Sequence, residues 1–338
     1  MSFPHLRFVI ALLLLCPVNL LAADIVFVRN SKPGQPPVQR QGEIVELAGN
    51  QLMFRGPSGT VETISLDQVT DWRTTWTQAK EQADALYADK KFAEAASAYA
   101  RAREEEQRTW ARRQIMSRLI ECQAATGNTV AAAEEFFVLV ASDPETQAWE
   151  IAPLGWRSTD DANLLTSAGQ WLRDASNPAK QLVGASWLLV GPQRAEAMTT
   201  LQTLSTNANK RIATLAVIQL WRTRIITSPA DEPARWLAGL ERLPPETRPL
   251  GYYCVGEAFA RHNQPEQAAL AYLRIPILHP RAQPLVSEAL LAAAGQLEKL
   301  DRREQAASLY REVLSDFAAL PAAASARQRL EQLATPKP

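Results

Sequence analysis

Apolar and polar positions follow two different rhythms along this chain. Between residues 24 and 72 the apolar residues come in short runs broken by Gly and Pro. From residue 75 onward they recur three and four apart, the spacing that lines one face of a helix. The first rhythm predicts strands and the second predicts helices.

In the first region Ile25-Val26-Phe27-Val28 is a β-type run. Asn30 to Gln41 carries Pro33, Gly34, Pro36 and Pro37 and reads as a loop. Glu43 to Leu47 partly alternates, Gly49-Asn50 turns, and Gln51 to Phe54 follows. Gly56-Pro57-Ser58-Gly59 turns again before Val61 to Ile64. Three or four strands joined by short Gly turns predict a meander, bent into a small sheet or barrel. Leu66, Val69 and Trp72 are expected to supply apolar cover.

In the second region the periodicity predicts helices over 77–89, 91–106, 112–126 and 129–141. Further helices are expected at about 160–173, 178–190, 192–205, 208–226 and 231–242. Hairpins at 249–280 and 287–318 precede a last amphipathic helix at about 322–333. One phrase recurs within these elements. Ala268, Tyr272 and Ile275 stand at intervals of four and three, as do Ala95/Tyr99/Ala102, Ala132/Phe136/Leu139 and Ala306/Tyr310/Val313. A small residue there lets two helices approach, and the aromatic one turn on fills the gap to the next pair. Ala132 and Ala268 lie 136 residues apart, four periods of 34, leaving room for three degenerate helix pairs. That interval holds Trp149, Trp156, Trp171, Trp187, Trp221 and Trp236.

These phrases resemble the tetratricopeptide repeat (TPR). The third unit carries the pattern as Tyr252, Val255, Gly256, Phe259, Ala268, Tyr272, Ile275 and Pro280. The second carries it as Met116, Leu119, Ile120, Gln123, Ala132, Phe136, Leu139 and Pro144. Gln107 stands where the first unit would close on Pro, and the fourth closes late, at Pro321. The fold class implied is mainly α: a TPR-like α-solenoid, a right-handed superhelix of helical hairpins, behind a small antiparallel β module. The expected divisions are a targeting segment at 1–23, the β module at 24–72 and two TPR units at 76–144. Degenerate Trp-rich helices at 145–248, two TPR units at 249–320 and a capping helix at 321–334 follow. The turn spacing of the β module looks like SH3-like or Sm-like barrels. The run from Ala306 to Leu333 resembles bacterial envelope TPR proteins.

By that resemblance, one face of each first helix lines a concave partner-binding surface. It implies Lys80, Asp84 and Tyr87 in the first unit and Gln114, Ser117 and Glu121 in the second. It implies Tyr253, Glu257 and Arg261 in the third, and Glu288, Leu291, Glu298 and Lys299 in the fourth. The set suits a peptide with polar and aromatic contacts. Asp84 and Glu121 are acidic where a carboxylate-clamping TPR domain carries Asn.

Composition narrows the remaining choices. Lys+Arg and Asp+Glu are both 36, so no net field draws the chain to nucleic acid. At the start, His5 and Arg7, the apolar run Phe8 to Leu15 and Ala22-Ala23 form a cleavable export signal. An uncleaved anchor and a lipidated Cys16 are the alternatives, though Leu15 is not the small residue that lipidation calls for. The mature chain keeps Cys122 and Cys254, placed too far apart to pair. No CxxC, HExxH, GxSxG or phosphate-binding Gly loop occurs, so neither cofactor nor metal is expected. His262 is expected to cap a helix, His279 to be solvated in a loop, and Asp160-Asp161 to sit at a helix N-terminus. Trp149 and Trp156 are the tryptophans expected to be exposed.

The function expected is therefore a non-enzymatic exported scaffold that binds a protein or peptide, periplasmic or otherwise outside the cytoplasm. The alternative is a carbohydrate- or peptidoglycan-associated envelope module with exposed tryptophans as its platform.

Overall fold

The computed structural model describes residues 24–32 and 34–334. The signal expected at 1–23 and the fraying expected at 335–338 lie outside the described residues. The protein is mainly helical with a small N-terminal antiparallel sheet. It divides into two compact units. One takes the described residues up to Val45 together with Leu52–Thr75, and the other takes Glu46–Gln51 and the described residues from Trp76 onward.

The sheet has five strands: β1 (Asp24–Val28), β2 (Val38–Ala48), β3 (Gln51–Arg55), β4 (Val61–Ser65) and β5 (Val69–Arg73), in the order β4-β3-β2-β1-β5. Alternation sends Val26, Val28, Ile44, Leu52, Phe54 and Ile64 into its core. Gly42 on β2 has no room for a side chain, since a Cβ there would stand 2.1 Å from the Arg55 carbonyl oxygen. Two expectations need correction. The predicted loop ran to Gln41, yet Val38 to Gln41 pair with β1, Val28 opposite Val38 and Ile25 opposite Gln41. Val69 and Trp72, expected as loose cover, belong to β5, which pairs with the other edge of β1 and places Trp72 opposite Val26. A buried strand needs both rows of its backbone groups bonded, and periodicity does not show who supplies the second row.

The helices of the first half are α1 (Gln78–Ala88), α2 (Phe92–Glu105), α3 (Thr109–Ala125), α4 (Thr129–Ser142), α5 (Ala162–Arg173), α6 (Pro178–Leu188) and α7 (Arg194–Leu204). Those of the second half are α8 (Lys210–Arg222), α9 (Glu232–Leu240), α10 (Pro249–Arg261), α11 (Pro265–Leu278), α12 (Gln283–Lys299), α13 (Arg303–Asp316) and α14 (Pro321–Ala334). Asp161, Asn177 and Asn209 cap α5, α6 and α8 through their side-chain oxygens, as short polar residues at helix starts do.

Four hairpins share one turn. Lys90, Gly127, Asn263 and Asp301 all have positive φ, between 54° and 77°. The next amide in each case donates to the carbonyl five residues back: Lys91 to Leu86, Asn128 to Gln123, Gln264 to Phe259 and Arg302 to Leu297. That is the Schellman arrangement, which satisfies the last carbonyls of the first helix. Five residues after each turn stands Ala95, Ala132, Ala268 or Ala306, each with no exposed surface. Tyr99, Phe136, Tyr272 and Tyr310 follow four later and are buried too. Replacing Ala268 with Leu should therefore cost about 1–3 kcal/mol by overpacking. A denaturation midpoint equal to wild type would contradict that contact.

Each helix packs on a neighbour in sequence, α9 on α10 rather than on α8, and α12 also reaches back to α3. The interval between the second and third hairpins holds five helices, α5 to α9, and no sixth. The missing place is taken by residues 144–161, which contain a short 3-10 turn at Ala148–Ile151 and then run without helix or strand. Buried polar bonds pin that stretch. Trp187 Nε1 donates to the Pro153 carbonyl at 2.9 Å and the Gly155 amide to Ser186 Oγ at 2.8 Å. The Gly155 carbonyl accepts from Gln219 at 3.0 Å and from Arg222 at 2.9 Å.

Candidate functional site

The carboxylates expected to face a partner are engaged within the chain. Asp84 accepts the Tyr99 hydroxyl at 2.6 Å and meets Lys80 at 2.5 Å, whose ammonium lies 4.1 Å from the Trp76 ring centre. Glu257 accepts the Tyr272 hydroxyl at 2.6 Å, and the Tyr253 ring packs 5.4 Å from Tyr272. Glu298 accepts the Tyr310 hydroxyl at 2.5 Å and pairs with Arg329. Burial first, and then the neighbouring carboxylate, raise the Tyr99 and Tyr272 hydroxyls, so both stay protonated and donate. Arg261 is exposed at the end of α10.

Glu121 differs from the rest. Asp84 and Glu257 each lie fifteen residues before the tyrosine they hold, and Glu121 lies fifteen before Phe136, which has no hydroxyl. Its fully buried carboxylate takes other donors: Tyr87 at 2.6 Å, Arg118 at 3.1 Å, and Arg281 through Nε at 2.9 Å and Nη2 at 2.7 Å. Arg281 also meets Glu150 at 3.2 Å. Residues far apart in the chain are joined at one point.

Beside that junction, inside the helical unit, lies a cavity of about 270 Å³. That is near the lower end of ligand pockets, which hold about 300–1,000 Å³. Its apolar wall includes Trp149, Trp156, Trp187, Leu250 and Leu285, and its charged wall includes Glu121, Glu150, Arg157, Arg281 and Glu288. Of the residues expected to face a partner, Glu121 and Glu288 belong to this wall. The 144–161 stretch supplies much of the lining. Nothing in the repeat pattern marks it, because it sits where the pattern lapses. The clustering of Trp149 and Trp156 around Pro153 and Gly155 was the available signal.

Three local expectations are corrected. Trp149 is 1% exposed, packed edge-on against Phe136 at 5.2 Å, and Trp171, Trp187 and Trp236 are buried as well. Only Trp156 is half-buried among the tryptophans expected at the surface, and its ring lies 6.0 Å from Trp187. His279 is buried, not solvated: it ends α11, with Nδ1 3.6 Å from Glu150 and its ring beside Tyr252. His262 does end α10, as expected, with Nε2 3.5 Å from Ser228 Oγ. Cys122 and Cys254 are free and buried, and burial pushes both thiols up to about 12, well away from the reactive thiolate range.

Among the described residues no group of three or more His, Cys, Asp or Glu is placed to hold a metal ion. No described helix is long and apolar enough to cross a membrane. No family model matches the chain, and no curated protein matches it. The fold by itself defines a mainly helical protein with an N-terminal five-stranded antiparallel sheet.

Proposed function

We propose that this protein is a non-enzymatic helical-repeat scaffold, of the TPR kind, that captures an extended segment of a partner protein in the cavity of its helical unit. The observation that carries the reading is the cavity wall, where tryptophan and leucine surfaces adjoin fixed charges of both signs. Such a wall suits a peptide that offers an apolar anchor and polar neighbours. The shared turn and shared Ala–aromatic spacing of four hairpins support the repeat assignment. Residues 1–23 have the sequence form of an export signal, which supports a location in the periplasm or otherwise outside the cytoplasm. The carbohydrate alternative loses much of its basis, since four of its six tryptophans are buried.

The test is a selection of binders from a random peptide library on the full chain. Selected peptides are then measured against Ala124→Phe and Ala152→Phe, two half-buried lining positions where added volume enters the cavity. Affinity should fall on the order of tenfold or more in both, a loss of about 1.4 kcal/mol. Peptides that bind the filled variants as well as wild type would move the site elsewhere.

A further inference from the structure

Of the acids lining the cavity, four have partners that leave them settled. Glu121 has Tyr87, Arg118 and Arg281; Glu150 has Arg281 beside His279; Glu246 has Arg211; Asp161 caps α5. Glu288 is held differently. It is paired at 2.7 Å with Arg157, whose side chain is 41% exposed while that of Glu288 is 9% exposed. Arg157 belongs to the stretch without helix or strand, whereas Glu288 is fixed on α12.

We infer that the cavity takes a lysine or arginine side chain of the captured segment onto Glu288, with an adjacent apolar side chain against Trp156 and Trp187, and that Arg157 holds the cation's place in the free protein. The inference rests on the reading of the cavity as a peptide site. Charge complementarity sets the sign of the occupant: the five carboxylates that line the cavity stand against four arginines, Arg118, Arg157, Arg211 and Arg281. Exchange is favoured by asymmetry. A displaced Arg157 moves into water from a position already half in it, at small cost. Glu288 cannot do the same, so leaving it alone is costly and a new cation restores the pair. Even with Arg157 present, burial and the charge of Glu257 hold the Glu288 carboxyl above its usual range, so it is under-compensated. On the apolar side, the rings of Trp156 and Trp187 line the cavity with their centres 6.0 Å apart.

The experiment is calorimetric titration of the full chain with blocked heptapeptides whose central sequence is Leu-Arg-Leu, Leu-Lys-Leu, Leu-Gln-Leu or Leu-Glu-Leu. The cationic peptides should bind on the order of tenfold more tightly than the Gln peptide, and the Glu peptide more weakly still. Glu288→Gln should remove that preference. Arg157→Ala should strengthen binding of the cationic peptides several-fold, because a competitor is gone; a merely structural ion pair would give unchanged or weaker binding. Equal affinity for the four peptides, or no gain in Arg157→Ala, overturns the inference while leaving the cavity as a peptide site. Silence from all four, together with library peptides that ignore the filled variants, overturns both.

Discussion

Truncating Tyr272 to Ala is expected to destabilise the helical unit by about 3–5 kcal/mol, the range for removing a large aromatic side chain from a core. The side chain is 1% exposed on α11. Its ring covers Gly256 so closely that a Cβ there would lie 2.5 Å from the ring edge, which makes the two positions complementary. Truncation leaves a void that the α10 and α11 backbones can close only by moving. It also takes the hydroxyl from Glu257, which held it at 2.6 Å. Tyr272→Phe separates the two contributions: it keeps the ring and removes the hydroxyl bond to a charged group, for a loss of about 1.5–3 kcal/mol. Denaturant titration of the three proteins measures both differences. A Tyr272→Ala variant within about 1 kcal/mol of wild type would show that the ring is not a packing element, against the cavity-cost range for such sites.

Replacing Arg281 with Met should cost about 3 kcal/mol, the lower end of the range for breaking a buried ion pair. Arg281 gives two donors to one oxygen of Glu121, and the Glu121 side chain has no exposed surface. Without it, that oxygen faces a low-dielectric interior with Arg118 and Tyr87 on the other oxygen alone. The remaining pair and the partial exposure of Arg281 keep the loss from being larger. Glu121→Gln with Arg281→Met closes a double-mutant cycle whose coupling should exceed about 1 kcal/mol, as residues sharing one network couple. Because the carboxylate is buried, added salt should change the coupling little. A coupling near zero would mean that the junction joins distant residues without stabilising them.

The repeat spacing made the buried faces legible. Ala95, Ala132, Ala268 and Ala306 and the aromatics after them are buried as their intervals predict. The helix caps and hairpin turns were legible in part: Gly127 announces its own turn, while Lys90 and Asp301 adopt the same φ without a residue type that demands it. The acids on the first helices were legible as one row, but not in their role. A carboxylate fifteen residues ahead of a tyrosine, as at Asp84 and Tyr99, is a hydroxyl acceptor built into the hairpin. Phe136 breaks that pairing, and this one missing hydroxyl leaves Glu121 open to Arg281, 160 residues away. His279 and Trp149 misled for a related reason. His279 precedes Pro280 and Trp149 lies between Pro144 and Pro153, surroundings that suggest a surface loop until the helices around them are in place.

The sequence by itself determined that strands precede helices and which faces the four repeated hairpins bury, because those depend on periodicity and turn chemistry within a few tens of residues. Only the tertiary structure decided that β5 returns to β1, that the residues after α4 line a cavity, and that Arg281, Glu121 and Glu150 meet. Apolar spacing states which side of a helix avoids water. It carries no address for the donor that will reach a given acceptor, since that depends on the summed positions of all the elements between them.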